Sequence, residues 1–339
     1  MSSDAVTPSK TRYQSVTAHF AAARKGPSMQ LPSSDGDAAR TAAQPLYDTH
    51  AHFFTADTVR YPINPAGARE GEDALVHRIA TDPGTPERVF SLWDANGVVG
   101  GAAVQFNTAY KTDNRYVCDI VADHPQRLAA VVILDATDPA TPAHLARMTG
   151  DGPGVTGLRF VGYADAEGRY SFLTSDEAMA SWAEAERLGL AVVLMIRLSP
   201  GESPAPTLAR VAQLAERFPA ARIVLDHCGW PGSGPYADAV GLTPAHLALA
   251  ACPNIFLKVS SINFTRFDAA RIDPAQFMRA AVDHFGAERM MWGSDFGNTL
   301  IDYATLAARA RSSAALLNEA EQRAYLHDTG AAIFAQSRT

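Results

Sequence analysis

Cysteine is scarce. Cys118, Cys228 and Cys252 are the three in 339 residues; no two form a C-x-x-C pair and one must stay unpaired, so neither a disulfide framework nor a thiolate metal site is indicated. A reducing cytoplasm is the expected home. Long apolar runs are missing too: none approaches the roughly 20 residues that cross a bilayer. The opening stretch MSSDAVTPSKTRYQSVTAHFAAARK has no continuous apolar core, so a secretory leader is not expected. Basic clusters are also lacking. Lys and Arg total 29 against 36 Asp and Glu, a net charge of -7, and they are scattered singly, which argues against nucleic acid or an anionic membrane as partner and for a small molecule. No glycine-rich dinucleotide fingerprint follows the first apolar run, which weakens the case for an open doubly wound sheet.

What is present points to a large α/β domain. A hydrophobic content of 47% is ample for a sizeable core. Residues 1–44, rich in Ser, Ala, Asp and Pro, read as a flexible N-terminal arm. Such an arm can wrap a neighbouring subunit, so a homo-oligomer is open. From Pro45 to the C-terminus (45–339) short apolar runs alternate with helical patterns. The runs are PLYDTH (45–50), VVGGAAVQF (98–106), LAAVVIL (128–134), VTGLRF (155–160), AVVLMI (191–196), RIVLDH (222–227), NIFLKVS (254–260) and RMMWGSD (289–295). Continuous Val/Ile/Leu runs suit parallel strands covered on both faces. Eight such units predict a (β/α)8 TIM barrel. One interval is long: FFTADTVRYPINPAGAREGED lies in an insertion between strands 1 and 2 that can cover the barrel mouth.

Active sites of such barrels form at the C-terminal ends of the strands. The polar residues expected there are His50 and His52 after strand 1, Gln105 and Asn107 after strand 2, Arg159 in strand 4, His227 ending strand 6, Lys258 and Ser260 in strand 7, and Asp295 ending strand 8. His50 and His52, as i and i+2, face the same side of a strand. An isolated H-x-H is commonly an ordinary surface pair. Four ligand-type groups at correctly placed strand ends reverse that balance.

These motifs together, DTHAH, GLRF, VLDHCGWP, IFLKVSS and MMWGSDFGN, resemble the amidohydrolase superfamily, specifically its amidohydrolase-2 branch, over about residues 45–336. The resemblance implies a barrel hydrolase or decarboxylase with His50, His52, His227 and Asp295 in the active site. Two departures stand out. Many members carry a metal-ligating histidine at the end of strand 5, where this chain has Met195, a poor ligand for Zn or Mn. That departure resembles the lactonase group, which includes 2-pyrone-4,6-dicarboxylate lactonase and sugar lactonases, where the metal is absent or held by fewer ligands. Asn298 stands where related lactonases often have histidine.

The expected reaction is hydrolysis of a lactone, carried on a carboxylated small molecule, with Asp295 as general base for water. His50, His52 and His227 would stabilise the oxyanion as donors, or with Asp295 hold one divalent metal, Zn or Mn; both readings stand. The alternative is a metal-dependent decarboxylase of an aromatic or muconate-type acid, and a third is a barrel that binds a small acid without turning it over. Arg159 is the candidate for a substrate carboxylate, against a salt bridge to a neighbouring loop. Lys258, in an otherwise apolar strand, requires an anion from the substrate or an internal carboxylate. Gln105, Asn107 and Asn298 are expected in the hydrogen-bond network around substrate, and Trp230 in a mouth loop lining the pocket. Cys228 is expected in the core, its thiol on the opposite strand face from His227.

Overall fold

The computed structural model describes residues 44–335 apart from 151–153, 200, 233–237 and 239. The expected arm therefore lies outside the described residues, save for its last one. Eight strands run in chain order, each parallel to the next: β1 (Leu46–Ala51), β2 (Val98–Val104), β3 (Leu128–Ile133), β4 (Val155–Gly162), β5 (Ala191–Ile196), β6 (Arg222–Leu225), β7 (Ile255–Ser260) and β8 (Met290–Gly293). Helices fill the intervals, giving a nearly closed (β/α)8 barrel. The purely apolar β3, LAAVVI, is buried along its whole length, as a strand packed on both faces must be.

The outer helices are amphipathic and explicitly terminated. Pro274–Phe285 buries Phe277, Met278, Ala281, Val282 and Phe285, one stripe of a 3.6-residue period. The Asp273 side chain accepts from the Ala275 N–H with Pro274 next to it, and Gly286 at φ 82° ends the helix. The insertion after β1 carries two helices, Glu72–Thr81 and Pro86–Ala95, anchored by Leu75, Ile79, Val89 and Trp93. Among the described residues no helix is long and apolar enough to cross a membrane.

Closure between β8 and β1 determines where the chemistry sits. The Asp295 N–H donates to the His50 carbonyl at 2.8 Å and the His52 N–H to the Phe296 carbonyl at 3.0 Å. Asp48 Oδ1 accepts from the Ser294 N–H at 2.8 Å, and its other oxygen accepts from the Tyr303 hydroxyl at 2.7 Å. Gly293 is required at this seam, because a Cβ there would lie 2.5 Å from the Cβ of His50.

Four strands stop short of the runs read from sequence. β2 ends at Val104, β3 at Ile133, β6 at Leu225 and β8 at Gly293. In the last two the backbone leaves the extended region: His227, Cys228 and Trp230 have φ of 53°, 54° and 68°, and Asp295 has φ 57°. These are left-handed conformations that non-glycine residues adopt at a cost of order 1–3 kcal/mol, typically at functional sites. Cys228 is fully buried in the core as expected, but through this turn and not through strand alternation.

Candidate active site

His50 and His52 converge. Their rings lie 4.8 Å apart and nearly perpendicular, at the end of β1 and fully buried. Each is oriented through Nδ1. His52 Nδ1–H donates to the Val104 carbonyl at 2.9 Å, and His50 Nδ1 lies 3.2 Å from Asp226 Oδ1. The carbonyl at His52 Nδ1 places the proton there and leaves the Nε2 lone pair facing inward; at His50 the nearer carboxylate favours the same tautomer over the Lys258 ammonium, 3.5 Å from the same nitrogen. Both Nε2 atoms face Asp295 Oδ1, at 3.6 Å from His50 and 3.5 Å from His52. Asn298 Nδ2 donates to His52 Nε2 at 2.8 Å and to Asp295 Oδ1 at 3.3 Å. His227 stands beside them, its ring 5.4 Å from that of His50 and its Nδ1 2.6 Å from Ser260 Oγ.

Burial lowers the pKa of His50 well below the ordinary imidazole value, despite Asp226, and lowers that of His227 as well. Both are neutral near pH 7, so they are poor sources of charge for an oxyanion. Burial alone would raise the Asp295 carboxyl; with His52, His50 and His227 gathered around it the carboxyl instead lies well below the usual carboxylate range, a shift that requires positive charge at these imidazole edges. With His50 and His227 kept neutral, a cation at the same edges would supply that charge.

A cavity of about 440 Å³ opens above this cluster, with Asp295 on its wall together with Met195, Trp230, Arg69, Arg197 and Arg266. Met195 thus occupies the expected place at the end of β5. Trp230 lines the pocket, with its indole N–H donating to the Ile196 carbonyl at 2.6 Å. Other candidates point elsewhere. Arg159 is buried and its Nε donates to Asp226 Oδ2 at 2.7 Å; Lys258, also buried, lies 3.0 Å from Asp226 Oδ1. Both pair with an internal carboxylate, not with an anion in the cavity. The Gln105 amide donates to the carbonyls of Lys111 and Asp113, and Asn107 opens a short helix, Asn107–Tyr110; neither lines the cavity.

A family model described as Amidohydrolase matches residues 47–335. The chain belongs to the amidohydrolase family. This amidohydrolase is 31% identical over 228 residues to an L-fucono-1,5-lactonase of Burkholderia ambifaria, a match covering 62% of this chain and 69% of the relative. Among solved structures, an amidohydrolase of Burkholderia multivorans with bound zinc aligns at a TM-score of 0.66 and 22% identity, over 86% of this chain and 99% of that one. A putative 2-pyrone-4,6-dicarboxylic acid hydrolase of Pseudomonas putida aligns at 0.61 and 23% identity, over 86% and 97%. At these identities the structural matches establish the fold.

The cluster of the amidohydrolase fits a divalent metal. The ligating atoms of His50, His52 and Asp295 lie within 4.8 Å of one another, and all three residues are buried. His50 Nε2 and Asp295 Oδ2 have no hydrogen-bond partner among the described residues. Two imidazole lone pairs and a carboxylate facing one point form an arrangement of acceptors that repel unless a cation or protons intervene. His227, a candidate fourth ligand, lies outside this triple.

Sequence reading missed Asp226, which immediately precedes His227, and the need of Lys258 for a buried carboxylate was its signal. It missed Asp48 as the staple between β1 and β8. It also missed the three cavity arginines, of which Arg197 carried a signal, standing just past the end of β5.

Proposed function

We propose that this amidohydrolase hydrolyses a lactone, with a water molecule held at Asp295 attacking the ester carbonyl. The observation that carries the reading is an ionised, buried carboxylate on the wall of a substrate-sized cavity, flanked by inward imidazole lone pairs; the L-fucono-1,5-lactonase relative supports the choice of ester. Asp295 takes a proton from the attacking water and later returns it to the leaving alkoxide, so the same group serves both directions of transfer. A carboxylate held so low is a weak base, and the water it serves must be made more acidic. A divalent ion, zinc or manganese, held by His50, His52 and Asp295 would supply that acidity and polarise the carbonyl. Asn298 fixes the near side of Asp295 and of His52, and Trp230 walls the cavity against bulk water. His227, braced by Ser260, orients the substrate beside His50.

The test is to offer the purified protein neutral and carboxylated five- and six-membered lactones alongside hydroxybenzoic acids, following acid release with a pH indicator and carbon dioxide in the headspace. Acid release from a lactone without carbon dioxide is the expected result. Carbon dioxide from an aromatic acid, with no lactone opened, would replace this reading with a decarboxylase.

A further inference from the structure

Ester hydrolysis needs hydrogen-bond donors for the oxygen that turns negative in the transition state. The H-x-H pair offers none. The His52 Nδ1–H is spent on the Val104 carbonyl, the Asp226 carboxylate favours the same tautomer at His50, and both inward edges carry lone pairs. The Asn298 amide is spent as well, on His52 and Asp295. A donor for that oxygen has to come from another wall of the cavity.

The helix that follows β7, Ser261–Ala270, begins at such a wall. Its first two residues, Ser261 and Ile262, and Thr265 one turn further on line the cavity together with Asp295. Ser261 is 2% exposed, and its Oγ, like Asp295 Oδ2, is buried with no hydrogen-bond partner among the described residues. A buried hydroxyl left unpaired costs about 1–3 kcal/mol, which a bound acceptor would remove. The polar groups around it are taken. Ser260 Oγ lies 2.6 Å from His227 Nδ1, and the Asn263 side chain accepts from the Ser260 N–H at 2.9 Å and donates to the His227 carbonyl at 2.8 Å. The Thr265 hydroxyl donates to the Ser261 carbonyl at 3.1 Å. At the first positions of a helix the N–H groups have no intrahelical acceptor, and the aligned peptides place about half a positive charge there.

We propose that the Ser261 hydroxyl and the N–H groups opening this helix receive the carbonyl oxygen of the substrate and stabilise its charge in the transition state, which makes Ser261 a catalytic residue. This rests on the lactonase reading for the bond attacked. Water adds its oxygen to the carbonyl carbon and gives its proton to Asp295, while the π pair moves onto the oxygen at Ser261. Collapse re-forms the C=O bond, breaks the ring C–O bond and returns the proton to the alkoxide. Adjacent serines thus divide the work: Ser260 sets the His227 ring, and Ser261 meets the reacting oxygen.

The experiment measures kcat and KM for lactone opening by holoenzyme carrying Ser261→Ala or Ser261→Pro. Alanine removes the hydroxyl alone. Proline also removes the first N–H, and it suits this position because it opens helices and would follow Ser260 at φ -136° and ψ 176°, an extended backbone. Ser261→Ala should lower kcat about a hundredfold with KM changed by no more than about twofold, and Ser261→Pro should lose about a further tenfold. Ser261→Thr, which keeps the hydroxyl, should restore part of the loss. Calorimetry with a six-membered cyclic phosphonate, whose tetrahedral anionic centre imitates the addition intermediate, should show binding weakened in Ser261→Ala by about the same factor as kcat/KM. Lactone opening by Ser261→Ala within about threefold of wild type overturns the proposal and leaves the lactonase reading standing. If wild type opens no lactone, that reading fails and the phosphonate decides the site: binding lost in Ser261→Ala sustains the oxyanion pocket, whereas equal binding in both, or none in wild type, overturns it.

Discussion

Asp226 holds more of the site than any residue singled out from sequence. Its two oxygens take Arg159 at 2.7 Å, Lys258 at 3.0 Å and His50 at 3.2 Å, all buried. Burial would raise its carboxyl, but Lys258, then Arg159, then His50 win and hold it well below the usual range. Asp226→Asn leaves two buried cations without their counter-charge, a loss that typically costs about 3–5 kcal/mol. Urea denaturation is expected to show that loss, together with a displaced His50 and weakened metal binding; an unchanged midpoint would show the cluster is not electrostatically closed. At this scale the cations were legible and their partner was not. Arg159 and Lys258 stood out as charges in apolar strands, whereas the carboxylate lies 67 residues from Arg159 along the chain, and only the barrel brings it across.

At the scale of elements, the turn after β6 is what aims His227. It is held from outside by the helix Pro244–Leu249, whose His246 lies 3.0 Å from the Gly229 carbonyl through Nε2 and 2.7 Å from the Thr243 hydroxyl through Nδ1. Burial lowers this imidazole from 6.5 to about 4. The unfolded chain then binds the proton first, so the contribution to stability is complete above about pH 6.5 and is lost as pH falls toward 4, amounting to on the order of 3 kcal/mol. His50 and His227 act with the same sign. Denaturation midpoints measured between pH 7 and 4.5 should fall more steeply for wild type than for His246→Gln; parallel slopes would contradict the assignment. Strand positions were readable because a parallel barrel demands continuous apolar runs, seen in LAAVVI and AVVLMI. Strand ends were not, because RIVLDH and RMMWGSD run on as if extended while left-handed turns at His227 and Asp295 end them early. Those turns arise from contacts with β7 and β1, which the local pattern does not contain.

For the whole molecule, the eightfold alternation fixed the class of fold, and the strand-end rule placed His50, His52 and Asp295 together. The closing seam was less legible, since Asp48 and Gly293 look unremarkable until β8 meets β1. Charge distribution was the least legible feature: single arginines spread through 339 residues give no hint of three on one cavity wall. The acceptor-only cluster leads to a further expectation. Protein purified without added metal should carry about one divalent ion per chain by elemental analysis, and its removal by chelator should lower both activity and the thermal midpoint, since a ligand bound only by the folded state stabilises it. Full activity in rigorously metal-free protein would leave Asp295 and protonated imidazoles as the whole apparatus.

The most direct measurement is the rate of lactone opening by Asp295→Asn beside wild type, with thermal midpoints taken on the same samples. Loss of the attacking water's proton acceptor should lower kcat by about a thousandfold or more while the fold is retained. A variant that opens the lactone within a few-fold of the wild-type rate would contradict the assignment of Asp295 and with it the proposed chemistry.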